Sequence, residues 1–315
     1  MEYQKLGETN LNISRIGFGG AAISGFNYGT TDDKESVKAI QKASELGINF
    51  FDTANIYGFG HSEKLLAEGL GEKRKEMIVA TKVGLRWNGK EEKSFADLSQ
   101  SYIFEAVNAS LENLQLDSIS LYQLHRHDPK VSPKEVMETL ALLKEQGIIK
   151  YSGASNLSKE LLEEYNIYGR LESYQVGYNL LDQQEAEQDI FPLCEKQNIG
   201  IIVYSPLAQG MLAGKYTKDS KFEDQDRRNT SKYFTKEIFQ KIPELFKRME
   251  EIGNKYNKTI GQVALRWILD NPKVACAIVG IKTEQQIEEA VGATGWNLLQ
   301  EERDELSVIG KKIIT

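Results

Sequence analysis

Cysteine and histidine are almost absent from this 315-residue chain. The two cysteines, Cys194 and Cys276, lie far apart in apolar surroundings. The paired spacings that staple secreted domains are missing, so the chain is expected in a reducing compartment, the cytoplasm. Three histidines, His61, His125 and His127, are too few at ligand spacing for a catalytic zinc or two-metal centre, and no metal is expected. No stretch approaches the ~18 apolar residues that span a bilayer. The opening Met1-Glu2-Tyr3-Gln4-Lys5-Leu6-Gly7 lacks the apolar run of a signal peptide. A basic excess is missing as well. The 46 acidic residues outnumber the 39 basic ones, for a formal charge of −7. A nucleic-acid-binding surface is thereby excluded, whereas one small basic pocket for a phosphate is not.

What is present is a regular alternation. Strand-like runs at Ile16–Gly19, Ile48–Phe51, Met77–Lys82, Ser118–Leu124, Ile148–Ala154, Ser173–Tyr178, Gly200–Tyr204 and Val274–Val279 are separated by helical patterns, among them Lys34–Leu46, Ser62–Leu70, Gln100–Leu114 and Pro133–Gln146. Strands alternating with helices imply parallel pairing, because a parallel connection needs a crossover. Eight such units predict a closed (β/α)8 TIM barrel. The open-sheet alternative should carry a G-x-G-x-x-G turn, and Gly17-Phe18-Gly19-Gly20 lacks the third glycine. The length, although enough for two domains, is therefore read as a single domain over residues 1–315. Residues 2–13 read as a hairpin that plugs the barrel's bottom. Residues 214–235 are polar and aperiodic and read as a long loop, of the kind that is usually functional.

Chemistry in such a barrel gathers at the C-terminal ends of the strands. Those ends hold Asp52, with Tyr57 just beyond, then Lys82 and His125. A phenol holds its proton at neutral pH and can donate it. A nearby ammonium favours the phenolate left behind, and a carboxylate keeps a buried ammonium charged. An imidazole can orient a carbonyl oxygen. Each residue alone has an ordinary explanation: Asp52 as a helix cap, Tyr57 and Lys82 as surface groups, His125 as a strand-end cap. Their convergence on three consecutive strand ends is what suggests proton delivery to a carbonyl, given a hydride from elsewhere.

Phe51-Asp52-Thr53-Ala54-Asn55-Ile56-Tyr57-Gly58, Ala80-Thr81-Lys82-Val83-Gly84 and Leu121-Tyr122-Gln123-Leu124-His125 resemble the signature segments of the aldo-keto reductase superfamily. The resemblance runs on through Gly153–Asn156, Gln175–Asn179, Tyr204–Leu207 and Ile278–Lys282, nearly the whole chain, and is similar to bacterial members, including a group found in bacilli. It implies a catalytic tetrad of Asp52, Tyr57, Lys82 and His125, with Tyr57 as general acid in reduction. It implies that Ser155, Asn156 and Gln175 hold the nicotinamide carboxamide and that the ring stacks on Tyr204. Ser205, Leu207, Gln209 and Gly210 would face the pyrophosphate. Gly280, Lys282, Thr283 and Gln286 would take the adenosine end, with Lys282 and Thr283 on the 2′-phosphate of NADPH. Gln286 stands where many members place arginine, and Ala290 where asparagine is common. Lysine offers a point charge where an arginine fork grips phosphate with two bonds, which narrows the preference for NADPH over NADH. Arg227 or Arg228, on the long loop, is expected to supply a guanidinium by folding over the cofactor.

The implied activity is NADPH-dependent reduction of aldehydes or ketones, with a small-molecule carbonyl as the partner and the oligomeric state open. An NAD-dependent alcohol dehydrogenase on the same site is one alternative. Another is a cofactor-binding regulatory protein resembling potassium-channel β subunits, although all four tetrad positions are filled. Phe26, Tyr28, Phe59 and Trp87 are expected near the mouth, as is His127.

Overall fold

The computed structural model describes residues 1–25, 28–88 and 94–314. Two short strands, β1 (Tyr3–Lys5) and β2 (Asn12–Ser14), form an antiparallel hairpin. The alternating part follows as β3 (Ile16–Gly19), α1 (Asp33–Glu45), β4 (Phe50–Asp52), α2 (His61–Leu70) and β5 (Ile78–Val83). A second hairpin, β6 (Leu85–Trp87) with β7 (Ser94–Ala96), precedes α3 (Gln100–Leu114) and β8 (Ile119–Leu124). Then come α4 (Pro133–Glu145), β9 (Ile149–Ser155), α5 (Lys159–Tyr168), β10 (Ser173–Gly177), α6 (Phe191–Gln197) and β11 (Gly200–Tyr204). The chain ends with α7 (Lys236–Tyr256), α8 (Ile260–Leu269), β12 (Val274–Gly280), α9 (Glu284–Val291) and α10 (Gln300–Ile314).

The order β3-β4-β5-β8-β9-β10-β11-β12 closes on itself as a parallel barrel, β12 returning to pair with β3. This is the expected (β/α)8 TIM barrel. Several of its helices begin where the sequence provides side-chain caps. Ser132 and Glu135 form a capping box around Pro133 at the start of α4, and Thr259 with Gln262 forms another at α8.

Successive strand residues point to opposite faces, and the two faces are filled differently. Val79, Val83, Tyr122 and Leu124 pack outward against the helices. Phe50, Ala80, Leu121, Ile202, Cys276 and Ile278 pack inward, over Leu6, Leu11 and Ile13 of the N-terminal hairpin. The hairpin therefore plugs the barrel, and it sits tightly: a Cβ on Gly200 would stand 2.7 Å from Gly7 N. Arg266 on α8 anchors it from outside, bonding both carboxylate oxygens of Glu2 at 3.1 Å. Asp52, Lys82 and Gln123 each lie two residues beyond an inward apolar residue (Phe50, Ala80, Leu121), so the same alternation aims them into the barrel above its apolar layer.

Some boundaries differ from expectation. The run Ile48–Phe51 becomes a strand only from Phe50: Ile48 N–H closes α1 on Ala43 O (3.0 Å), and the Asn49 side chain is spent on Ser14 N–H (2.7 Å) and Asn12 O (2.9 Å). The β6–β7 hairpin has no counterpart in the sequence reading. Within 214–235 the chain makes short 3-10 turns at Arg227–Thr230 and Lys232–Phe234, held by an aromatic cluster of Tyr216, Phe222 and Phe234. No helix among the described residues is long and apolar enough to cross a membrane.

Candidate active site

At the C-terminal mouth the strands align in register, Gly280 beside Gly19 and Gly19 beside Asp52. The four expected catalytic residues meet there. Lys82 Nζ donates to Asp52 Oδ1 at 2.6 Å, to Thr53 O at 2.8 Å and to the Tyr57 hydroxyl at 3.5 Å. The His125 ring stands edge-on to that of Tyr57, with centroids 5.6 Å apart at 87°. Lys82 and Asp52 are almost fully buried, 1% and 5% exposed at the side chain, so their attraction is little screened. Tyr57 and His125 remain partly open to the mouth.

The environment separates the roles. Burial pushes the Tyr57 phenol above its ordinary value, although the Lys82 ammonium pulls the other way, so the hydroxyl keeps its proton. Burial would lower Lys82, but the Asp52 carboxylate and the Tyr57 oxygen more than offset it and hold the ammonium above its usual range. Burial, with the Lys82 and Arg126 charges, takes His125 down to about 3, so it is a neutral imidazole at physiological pH. A neutral proton donor, a fixed cation and a neutral orienting ring thus share one mouth.

Asp52 is held from a second side as well. Its Oδ2 accepts from Gln175 Nε2 at 2.8 Å and from Gln123 Nε2 at 3.1 Å. Gln123 was not singled out from the sequence, although its place two residues before His125 puts it on the same inward face. With the Gln175 amino group on Asp52, its amide oxygen is the end that can accept from a ligand.

The other residues expected at a cofactor connect to this centre. Asn156 Nδ2 donates to His125 O (3.0 Å) and Ser155 Oγ (3.1 Å), while the Ser155 hydroxyl donates to Gln175 O (2.9 Å). The Tyr204 hydroxyl donates to Asn156 Oδ1 at 3.1 Å. Its ring lies against Gly177, where an added Cβ would come within 3.3 Å, so a glycine places the ring. After β11 the backbone winds through positive φ at Ser205 (52°), Ala208 (47°), Gln209 (59°) and Gly210 (93°). Asn179, also missed from the sequence, pins this turn by donating to Ser205 O at 3.1 Å. Leu207 O accepts from Gly210 N–H at 2.8 Å. Among the described residues, His125 Nδ1 and Gln209 Oε1 are buried without a hydrogen-bond partner. Unmet polar atoms beside a strained turn suit a polar ligand, so these residues fit a dinucleotide.

At the far side, Gly280 ends β12, and Thr283 caps α9 by accepting from Gln286 N–H at 3.4 Å. Lys282 N–H donates to Gln286 Oε1 at 2.7 Å, so Gln286 caps the loop. Arg227 reaches the Tyr28 hydroxyl (2.9 Å) and lies over its ring, while Arg228 is engaged by Asp226 and Tyr216. Phe59 and Trp87 pair at the mouth with centroids 5.4 Å apart. His127 turns instead to Tyr165 on α5, its Nδ1 3.0 Å from the hydroxyl. Phe26 lies outside the described residues.

The fold and mouth define an α/β-barrel oxidoreductase with a tyrosine–lysine–carboxylate centre. The chain belongs to the aldo/keto reductase family, whose profile matches residues 15–310. It is 35% identical to the aldo-keto reductase YhdN of Bacillus subtilis, over 100% of this chain and 95% of that one. It is 33% identical to the NADH-specific methylglyoxal reductase of Escherichia coli, over 93% of each chain. The glycerol dehydrogenase AKR11B4 of Gluconobacter oxydans superposes with a TM-score of 0.90 at 34% identity, covering 98% of this chain and 94% of that one.

Proposed function

We propose that the protein reduces aldehyde or ketone carbonyls to alcohols, with NADPH as the preferred cofactor. The observation that carries this reading is the Asp52–Lys82–Tyr57 chain of contacts closed by the edge of His125. A bound nicotinamide supplies hydride to the carbonyl carbon. Tyr57 gives its proton to the carbonyl oxygen, and the Lys82 ammonium stabilises the phenolate that remains. Asp52, held by Gln123 and Gln175, keeps Lys82 charged and aimed. His125, being neutral, orients the oxygen without adding charge. Gln175, Ser155 and Asn156 would hold the carboxamide, Tyr204 the ring and the Ser205–Gly210 turn the pyrophosphate.

A panel of aldehydes and ketones followed by NADPH absorbance tests the reading, with Tyr57→Phe as the control. The variant should lose at least about 100-fold in rate while binding cofactor normally. Near-normal turnover by Tyr57→Phe would overturn the mechanism. A second reading, alcohol oxidation with NAD on the same site, is favoured by one observation: the Lys282 ammonium is already bonded to backbone carbonyls. Comparing both cofactors on one aldehyde–alcohol pair separates the two.

A further inference from the structure

The ammonium that would receive a 2′-phosphate sits among competing anions. Lys282 Nζ donates to Tyr28 O at 2.7 Å and to Thr30 O at 3.1 Å. The same short segment receives two carboxylates from the 214–235 loop. Glu223 Oε1 accepts from the Thr30 hydroxyl at 2.6 Å and from Thr30 N–H at 3.4 Å. Asp226 Oδ2 comes so near that a Cβ on Gly29 would stand 3.4 Å from it, with the Glu223 carboxyl carbon at 3.9 Å. The Arg228 charge opposes the Lys282 ammonium, whereas those of Asp226 and Glu223 favour it. The two carboxylates thus offset part of the positive charge of this cluster before any ligand arrives.

The two carboxylates differ. Asp226 is buried and closed onto Arg228 by three hydrogen bonds. Glu223 is exposed, and its carboxylate accepts from Thr30. We propose that Glu223 sets how far NADPH is preferred over NADH: its charge opposes the 2′-phosphate at Lys282 and so narrows the margin over the cofactor that carries a ribose hydroxyl there. The inference rests on the placement of the adenosine end at Lys282. A phosphate monoester brings a charge of about −1.5 to −2 at neutral pH, which a carboxylate near the Lys282 ammonium repels. A carboxylate is also the group that accepts from a ribose 2′-hydroxyl in nicotinamide sites of other folds. The E. coli relative named for NADH specificity shows that the family accommodates the choice.

The test uses the full chain and reads binding, not turnover. Dissociation constants for NADPH and NADH are measured by intrinsic fluorescence titration for wild type, Glu223→Gln and Thr30→Val. Glu223→Gln keeps an acceptor for Thr30 but drops the charge. It should tighten NADPH about three- to tenfold and leave NADH within about twofold, the gain shrinking as salt rises. Thr30→Val keeps the charge and removes the hydroxyl contact, so it should leave the NADPH/NADH ratio unchanged. An unmoved ratio in Glu223→Gln, equal tightening of both cofactors, or a Thr30→Val that reproduces the shift would each overturn the proposal. Failure of the wild type to bind either dinucleotide would overturn the functional reading together with it. Binding of both with no effect of Glu223→Gln would defeat the present inference alone.

Discussion

The floor of the mouth and its rim handle charge in opposite ways. On the floor, Asp52 and Lys82 are buried, 2.6 Å apart, and every contact except that of Lys82 with Tyr57 is made from a barrel strand or the residue that follows one. On the rim, Glu223 and Arg227 are exposed on a long loop, and they reach the Tyr28–Thr30 segment. A buried pair costs several kcal/mol if one partner is lost, whereas an exposed pair contributes about 1 kcal/mol or less. The proposed chemistry therefore sits where a substitution is severe, and the proposed determinant of cofactor choice where a substitution is cheap.

The largest expected effect comes from breaking the floor. Lys82→Met strands the Asp52 carboxylate with only two amide donors. It should cost about 3–5 kcal/mol in stability, read by denaturant unfolding, together with nearly all reductase activity. Wild-type stability in that variant would show that the pair is not the anchor described here. Next is the plug beneath: Gly200→Ala drives a methyl toward Gly7 N and Leu6, and should cost about 1–3 kcal/mol by overpacking, read as a lowered Tm.

The third effect is one of pH. His125 is depressed from its unfolded value near 6.5 to about 3, so the folded state resists protonation. Its contribution to stability is complete above pH 6.5 and is lost as the pH falls toward 3. Thermal melts at pH 7.5 and 4.5 should therefore differ more for wild type than for His125→Gln, and equal differences would refute the assignment. The smallest effect belongs to the rim. Arg227→Ala should leave stability nearly unchanged, within about 0.5 kcal/mol, and weaken NADPH only severalfold. A calorimetric NADPH titration with no change would remove the guanidinium from cofactor binding.

Much of this was legible in the chain. The eight β/α units follow from local periodicity, and Asp52, Lys82 and His125 were readable as strand-end polar groups because alternation on a strand is a local rule. Gln123 could have been found by the same rule, two residues before His125, had Asp52 been asked for more than one partner. Other features had no local signal. His127 lies near the mouth in sequence, yet its ring is taken by Tyr165, 38 residues later. Asn179 holds the Ser205 carbonyl 26 residues away, a link that exists only once β10 and β11 are paired.

Sequence by itself determined the barrel, the hairpin plug, the family resemblance and the identity of the four groups at the mouth. These depend on patterns within a few residues and on motifs read in order. Only the tertiary structure decided that Asp52 is clamped by two glutamines, that Lys282 is already bonded to Tyr28 and Thr30, and that Glu223 meets a residue 193 positions away. Electrostatics depends on distance through space, and only closure of the barrel sets which of this chain's charges become neighbours.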